Sequence, residues 1–247
     1  MRRCLTILIM TLAVISLAAC CRKDERSALV DSLGWSLAAR QEMRDAIILS
    51  DLCNADKGNA MLELADIYAK NAMSLSDTIA QMLPVRLRRL YRSERQAYER
   101  WRVWQETVSM NLIGDIWDLW YGGSALGSFQ TAHIYRIEEQ NLEETLDLFN
   151  LLCGSSTQNG IMEDVTLFQL KREADRLLED IPDVEQRERM EQTVMIDMST
   201  LRMWVSAREE FSKSLPRKVR REYDKLTNRW LLLCQSQYTR RFCYETK

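Results

Sequence analysis

The chain has 247 residues, of which 46% are apolar and 28% charged, so it is long enough to bury a core without disulfide or metal cross-links. Its formal charge of −2 is small, and basic residues alternate with acidic ones along the sequence, which argues against the basic stripe of a nucleic-acid-binding protein. With only 8 glycines and 3 prolines, turns are few and regular elements must be long, so the composition predicts an all-α protein.

The first twenty residues carry the pattern of an export signal. Arg2 and Arg3 precede an uncharged segment, 5–17, which has the length of the apolar core of a signal peptide and is short for a membrane span. This segment ends in Leu-Ala-Ala-Cys at 17–20, which closely resembles a bacterial lipobox. The resemblance implies that residues 1–19 are removed, that Cys20 is lipidated, and that the formal charge becomes −4. The alternative is a transmembrane anchor that contains a cysteine.

Residues 20–52 are predicted to form a lipidated tether and a first helix. The tether contains Lys-Asp-Glu at 23–25, which resembles the signal that carries some lipoproteins to the outer surface of bacteria with two membranes. A solvated charged tether is the alternative, because short charged runs usually have that role. We therefore expect an outer-membrane lipoprotein that faces the periplasm or is exposed on the cell surface.

Helical spacing of apolar residues accounts for most of the remaining chain. It predicts helices over 24–49, 60–82, 84–121, 129–152, 163–181, 183–214 and 217–238. Gly58 is expected to interrupt the first two, Gly114 to bend the third, and residues 154–160 to form a linker. The fold class is thus an all-α bundle of about six or seven helices. The predicted division is a domain at 53–152, a linker at 153–160 and a C-terminal helical region at 161–247.

Two Leu-Pro dipeptides mark a candidate internal repeat. Residues 83–98, LPVRLRRLYRSERQAY, align without a gap on residues 215–230, LPRKVRREYDKLTNRW, with five identities in sixteen positions. The alternative is chance similarity between two charged helices. If the match is a repeat, the chain contains one complete unit and a shortened, diverged second copy.

The parts needed for catalysis are scarce. His133 is the only histidine, which leaves few ways to build a nucleophile with its base, and the surface or the core is its more usual place in a helix. The segment GGSALG at 122–127 lacks the lysine of a phosphate-binding loop. The five cysteines beyond Cys20 show no metal-ligand spacing, so they form one or two disulfides or remain buried thiols. The sequence predicts no enzyme, metal, cofactor, nucleic acid or small-molecule substrate.

Tryptophans form two pairs at a spacing of three residues. Trp101 and Trp104 share one helix face, and Trp117 and Trp120 share another. Packing between helices is the first interpretation, because large rings bury much apolar area. The second is a contact surface for a partner protein, formed by Trp120, Tyr121, Gly122, Gly123 and Ser124.

These features together resemble the lysozyme-inhibitor LprI N-terminal domain family. The matching residues are Leu83-Pro84, Gln96, Tyr98 or Trp101, Arg102 and the Gly-Gly-Ser turn at 122–124, within residues 53–152. The second copy, 198–238, keeps Leu-Pro and has Trp230 at the family's tryptophan position, but it lacks the Gly-Gly-Ser turn. Family members carry a pair of cysteines at positions that correspond to residues near Glu106 and His133, so that disulfide cannot form in this chain.

The resemblance implies a helical fold and a protein partner of the lysozyme type. We therefore expect a lipid-anchored envelope protein that binds a protein partner and inhibits peptidoglycan hydrolases by occlusion. The alternative is a structural or assembly lipoprotein of the envelope without inhibitor activity.

Overall fold

The chain folds into helices throughout the part that the structure describes. The structure is a computed structural model that describes residues 37–50, 54–122, 126–154 and 165–239. No strand occurs within these ranges, which confirms the predicted all-α class. The number of helices also agrees with the expected six or seven, because residues 85–120 form one continuous helix with a π-helical turn inside it. The predicted signal peptide, Cys20 and the Lys-Asp-Glu tether lie outside the described residues, as do Gly123, Ser124 and most of the predicted linker. None of the described helices is long and apolar enough to cross a membrane.

The helices follow one another with short connections. Their bounds are α1 Leu37–Leu49, α2 Asn54–Met82, α3 Val85–Val108, α4 Gly114–Trp120, α5 Leu126–Leu152, α6 Leu167–Glu179, α7 Val184–Lys213 and α8 Arg217–Tyr238. A π-helical turn, Ser109–Ile113, joins α3 to α4 without a break. Local sequence sets several starts: Thr166 and Gln169 form a capping box at α6, and the Asp183 side chain accepts from the Gln186 N–H at α7.

Three predicted boundaries need correction. Gly58 does not interrupt a helix, because α2 begins at Asn54 and contains it. Likewise α5 begins at Leu126 and includes Gly127, although residues 122–128 were expected to form a loop. The bend expected at Gly114 is replaced by the π-helical turn immediately before it. A glycine costs a helix only about 1 kcal/mol, and tertiary packing of long helices such as α2 against α5 overrides that propensity.

Helix α5 lies at the centre of the bundle. Helices α3 and α8 run antiparallel to it, as shown by the contacts Arg95–Asn141 and Trp230–Glu144, whereas α2 packs beside it in parallel. Helix α7 packs along α3 in the antiparallel direction. One end of the bundle therefore collects the starts of α3 and α8, and the other end collects the starts of α2, α5 and α7.

The two Leu-Pro turns have nearly the same backbone. Pro84 has φ −54° and ψ 148°, Pro216 has φ −56° and ψ 143°, and each carbonyl accepts a hydrogen bond of 2.8 Å from the N–H four residues later. Positions aligned in the repeat also lie side by side: the rings of Tyr98 and Trp230 are 5.5 Å apart, and Gln237 donates to Gln105 at 3.0 Å. Helices α3 and α8 are therefore parallel and in the register of the sequence match.

Four aromatic rings form the middle of the core. Tyr98, Trp101, Trp204 and Trp230 are buried, and their ring centroids lie 5.0 to 6.0 Å from one another. Trp101 and Trp204 stack, while Trp230 meets both edge to face. These residues come from both sides of the predicted domain boundary, so the described parts of 53–152 and 161–247 share one core.

Candidate functional site

The predicted contact surface lies at the end of α4, where the structure separates its aromatic residues. Trp117 is only 7% exposed and packs on Phe129, with centroids 4.6 Å apart, and on Tyr121 at 5.4 Å. Trp120 is half-buried against the main core cluster. Tyr121 is 38% exposed. Trp117 is therefore a core residue, as the first interpretation predicts. Tyr121 packs on Trp117 and exposes part of its ring at the surface.

A tight backbone turn fixes the end of this helix. The N–H groups of Tyr121 and Gly122 both donate to the Trp117 carbonyl, at 2.9 and 2.8 Å. Gly122 has φ +66°, a left-handed conformation that glycine adopts without steric cost. The chain therefore leaves α4 at a defined point, and Tyr121 sits on the last turn.

Acidic residues surround this end of the bundle. We define the acidic tip as segments 115–122 and 179–191, which contain eight acidic and two basic residues. An ion pair ties the segments together, because Arg189 donates to both Asp115 carboxylate oxygens, at 2.7 and 3.1 Å. The tip thus combines an exposed aromatic ring with negative charge.

A second surface feature is a cleft between α2 and α3. The two helices diverge from the Leu83-Pro84 turn, and α5 forms the floor of the space between them, which has a volume of about 380 Å³. Gln96 and Arg102, which carry the family resemblance, line one wall, whereas Tyr98 is buried. The lining also includes Arg95, Glu99, Glu138 and Asn141.

The polar groups of the cleft pair with one another. Arg102 donates to Glu99 at 2.8 Å and to Glu138 at 3.1 Å, and Arg95 donates to Asn141 at 2.9 Å. Burial raises the pKa of Glu138 above its ordinary value, although Arg102 opposes this effect. Seven of the twelve lining residues are charged, which suits a polar segment of a macromolecule.

Behind this cleft lies a buried charge cluster formed by Glu94, Glu144 and Arg208. Arg208 Nη1 is 2.5 Å from Glu144 Oε1 and 3.4 Å from Glu94 Oε1, and its Nε donates to Thr227 at 2.5 Å. The indole N–H groups of two core tryptophans, Trp204 and Trp230, donate to Glu94 and Glu144 respectively. All three charged side chains are almost completely buried, so the cluster acts inside the fold and contacts no partner.

A second buried network contains the single histidine. His133 Nε2 lies 3.2 Å from Gln105 Oε1 and 3.2 Å from Gln237 Nε2, and Gln105 donates to Asp197 at 2.5 Å. Tyr238 also donates to Asp197. Burial lowers the pKa of His133 to about 4, with a smaller contribution from Arg136, so the ring is neutral at physiological pH. His133 is therefore a core residue of α5 that forms hydrogen bonds with α3 and α8.

The lowered pKa of His133 predicts an acid-dependent loss of stability. Because the folded ring binds its proton only near pH 4 while the unfolded ring binds it near 6.5, stability falls as the pH falls between these values. Each pKa unit corresponds to about 1.4 kcal/mol, so the full loss is about 3 kcal/mol. Urea unfolding of wild type and His133→Gln at several pH values measures it.

The comparison with His133→Gln isolates the histidine from neighbouring carboxyls. Burial raises the pKa of Asp197, which changes stability in the opposite direction as the pH falls, but this group is present in both proteins. We expect wild type to lose about 3 kcal/mol more unfolding free energy than His133→Gln between pH 7 and pH 4. An unchanged difference between the two proteins would contradict a neutral buried ring.

Sequence reasoning missed the cleft and both buried networks. A signal was present for the charge cluster: Glu94 stands between Tyr91 and Tyr98 at helical spacing, and Arg208 stands between Trp204 and Phe211. A charged residue on an apolar stripe indicates a buried ion pair. Within the described ranges, no group of three histidine, cysteine, aspartate or glutamate side chains is placed to bind a metal ion. Cys234 is a buried, reduced thiol.

Comparisons of the chain with protein-family models, with curated proteins and with solved structures found no match.

Proposed function

We propose that this chain is a lipid-anchored envelope protein that binds a protein partner through its acidic tip. The observation that carries the proposal is the exposed Tyr121 ring on the packed base of Trp117, within a surface of eight acidic and two basic residues. Aromatic residues with rigid support are typical anchors of protein interfaces. The surrounding carboxylates favour encounter with a basic partner.

Lysozyme-type hydrolases are the partner class that we propose, on the basis of the family resemblance. Two observations agree with that resemblance. The positions at which the family keeps its cysteine pair, near Glu106 and His133, fall on neighbouring helices, because Gln105 contacts His133. Gly122, the first residue of the Gly-Gly-Ser motif, follows the last turn of α4 directly, at the tip. Occlusion of the hydrolase cleft by the tip is the proposed mechanism.

Inhibition assays test this proposal directly. The fragment 21–247, which contains every described residue, is titrated against several lysozymes. We expect loss of hydrolysis at micromolar fragment. Full lysozyme activity at that concentration would remove the inhibitor function.

Replacement of Tyr121 by alanine is expected to weaken the interaction with a basic hydrolase about 30-fold, since an interface anchor contributes about 2 kcal/mol. The matched control is Phe168→Ala, because Phe168 is 75% exposed on α6 and lies outside the acidic tip. Titration calorimetry or inhibition curves measure both variants. Equal affinities for Tyr121→Ala and wild type would exclude the tip as the contact surface.

A structural or assembly role is the alternative, and the cleft between α2 and α3 is the observation that favours it. A polar segment of another envelope component fits a charged groove of about 380 Å³. Cross-linking in intact cells, followed by identification of the partners, separates the alternatives. Recovery of envelope structural proteins without any hydrolase would favour the assembly role.

The proposed anchor has its own test. Cells fed a labelled fatty acid are expected to label the wild-type protein, and the label is expected to disappear in Cys20→Ala. Equal labelling of both proteins would place the acyl group elsewhere.

A further inference from the structure

Positive charge is concentrated at the end of the bundle opposite the acidic tip. We define the basic end as segments 84–93 and 209–224, which contain nine basic and four acidic residues. These segments are the first turns of α3, the first turns of α8 and the last turns of α7. The basic residues alternate with others in sequence, so their concentration appears only in the folded chain.

The two helices that carry this charge begin side by side. Helices α3 and α8 run parallel and in register, as the Gln105–Gln237 hydrogen bond shows. Their first buried residues, Leu87 and Val219, belong to one core cluster. The side chains on the first turns of both helices therefore cover one continuous end of the molecule.

Most of these cations are exposed and lack a carboxylate partner. Arg220 lies 3.7 Å from Asp224, and Lys213 pairs with Glu209 at 3.1 Å. The basic residues at this end that are exposed and form no ion pair with any described carboxylate are Arg86, Arg89, Arg92, Arg217, Lys218 and Arg221. Among the exposed carboxylates of the basic end, Glu210 forms no ion pair with a described cation.

Helix stability does not explain basic residues at these positions. A helix dipole favours acidic side chains in the first turn, yet neither α3 nor α8 has one there. Arg88 has a structural use, since it donates to the carbonyls of Gln81 and Leu83 at the end of α2. Of the remaining first-turn cations, Arg86 in α3 and Arg217, Lys218 and Arg220 in α8 oppose the dipole preference, and such departures concentrate at functional surfaces.

The direction of α1 relates its N-terminal end to the basic end of the bundle. Near its end, α1 contacts the start of α2, because Lys57 donates to the Ile48 carbonyl. Earlier in α1, Arg44 interacts electrostatically with Glu139, which lies further along α5. Helix α1 therefore runs antiparallel to α2, so its N-terminal end is directed toward the basic end.

We propose that the basic end binds the anionic headgroup layer of the membrane to which the chain is anchored, so that the acidic tip projects away from it. This inference rests on the proposed lipid anchor. Clustered lysine and arginine side chains attract anionic headgroups additively and within a Debye length of the surface. Val85, 75% exposed among these cations, is placed to enter the interface.

Lysine acetylation of the processed protein, purified from cells and reconstituted into vesicles, tests the orientation. Vesicles of phosphatidylcholine are compared with vesicles that contain about one third phosphatidylglycerol, and acetylation of each lysine is followed by mass spectrometry. We expect Lys213 and Lys218 to react about fivefold more slowly in the anionic vesicles and to recover in about 1 M salt. Lys171, on the exposed side of α6, serves as the internal control and is expected to react equally in both.

Two matched variants link the protection to the basic end. Each replaces four exposed arginines by glutamine, so both change the net charge equally. The test variant changes Arg86, Arg89, Arg217 and Arg221, and the control variant changes Arg100, Arg172, Arg176 and Arg202. We expect the test variant to lose the protection of Lys218 and the control variant to keep it.

The outcomes distinguish this inference from the anchor itself. Failure of the protein to sediment with phosphatidylcholine vesicles would contradict the anchor. Acetylation of Lys218 is compared between the two kinds of vesicle in the same experiment, and it tests the basic end separately. Equal acetylation of Lys218 in both kinds of vesicle would overturn the membrane-facing basic end. Protection by a soluble polyphosphate at equal phosphate concentration, without protection by vesicles, would overturn it in favour of a soluble polyanion.

Discussion

Replacement of Arg208 by alanine is expected to lower the free energy of unfolding by about 3–5 kcal/mol, because it leaves two buried carboxylates without their cation. Glu94 and Glu144 are as buried as Arg208, and water cannot take the place of the guanidinium. Total stabilities are typically about 5–15 kcal/mol, so this loss removes a large fraction of the fold's margin. Urea unfolding followed by circular dichroism measures it.

Two further variants separate charge from packing at this position. Arg208→Met fills the space and removes the charge, so we expect a loss close to that of alanine. The triple variant Glu94→Gln, Glu144→Gln, Arg208→Met removes all three charges while leaving oxygen acceptors for the tryptophan N–H groups, and it is expected to regain most of the stability. Arg202→Ala, exposed on the same helix, is the control and should stay within about 0.5 kcal/mol of wild type. A loss below about 1 kcal/mol for Arg208→Ala would contradict the buried ion cluster.

Replacement of Trp204 by alanine is expected to cost about 4 kcal/mol. The ring lies 5.0 to 5.1 Å from three other buried rings, and its N–H donates to Glu94 at 2.7 Å. Its removal leaves a cavity in the middle of the core and an acceptor with one fewer donor. For a chain of this size we expect the melting temperature to fall by about 8–16 °C.

Scanning calorimetry measures this effect, with Phe168→Ala as the matched large-to-small control. Phe168 is exposed, so its truncation removes little buried area and should change the melting temperature by no more than about 2 °C. Similar shifts for both variants would show that the four-ring cluster is not the centre of the core.

Much of the fold follows from the helical spacing of apolar residues. The stripe from Leu87 to Leu112 predicts the buried face of α3, and Pro84 and Pro216 mark the starts of α3 and α8. The helix boundaries predicted at Gly58 and Gly127 are wrong, because the packing energy of a long helix exceeds the cost of one glycine.

The candidate site was less accessible from sequence, since it depends on pairings between distant helices. The sequence pairs Trp117 with Trp120 on one helix face and places Trp120 and Tyr121 in the contact surface. Only the folded chain shows that Trp117 is buried against Phe129 whereas Tyr121 is exposed. The cleft arises because α2 and α3 diverge after a turn, which apolar spacing does not encode. The concentration of opposite charges at the two ends does not follow from the sequence alone, because it depends on α3 and α8 running parallel.

The π-helical turn at Ser109–Ile113 determines where the chain can lose one residue without a change in helix packing. A π-helical turn accommodates one residue more than an α-helical turn, because its hydrogen bonds join residues five apart instead of four. Met110 is 65% exposed, so the surplus is carried on the solvent side while Leu112 keeps its place in the core. One residue can therefore be lost here with the turn reverting to α-helix and the helices on either side staying in phase. The same deletion in the middle of α3 would rotate every later side chain of the helix by about 100° and remove Trp117 from its contact with Phe129.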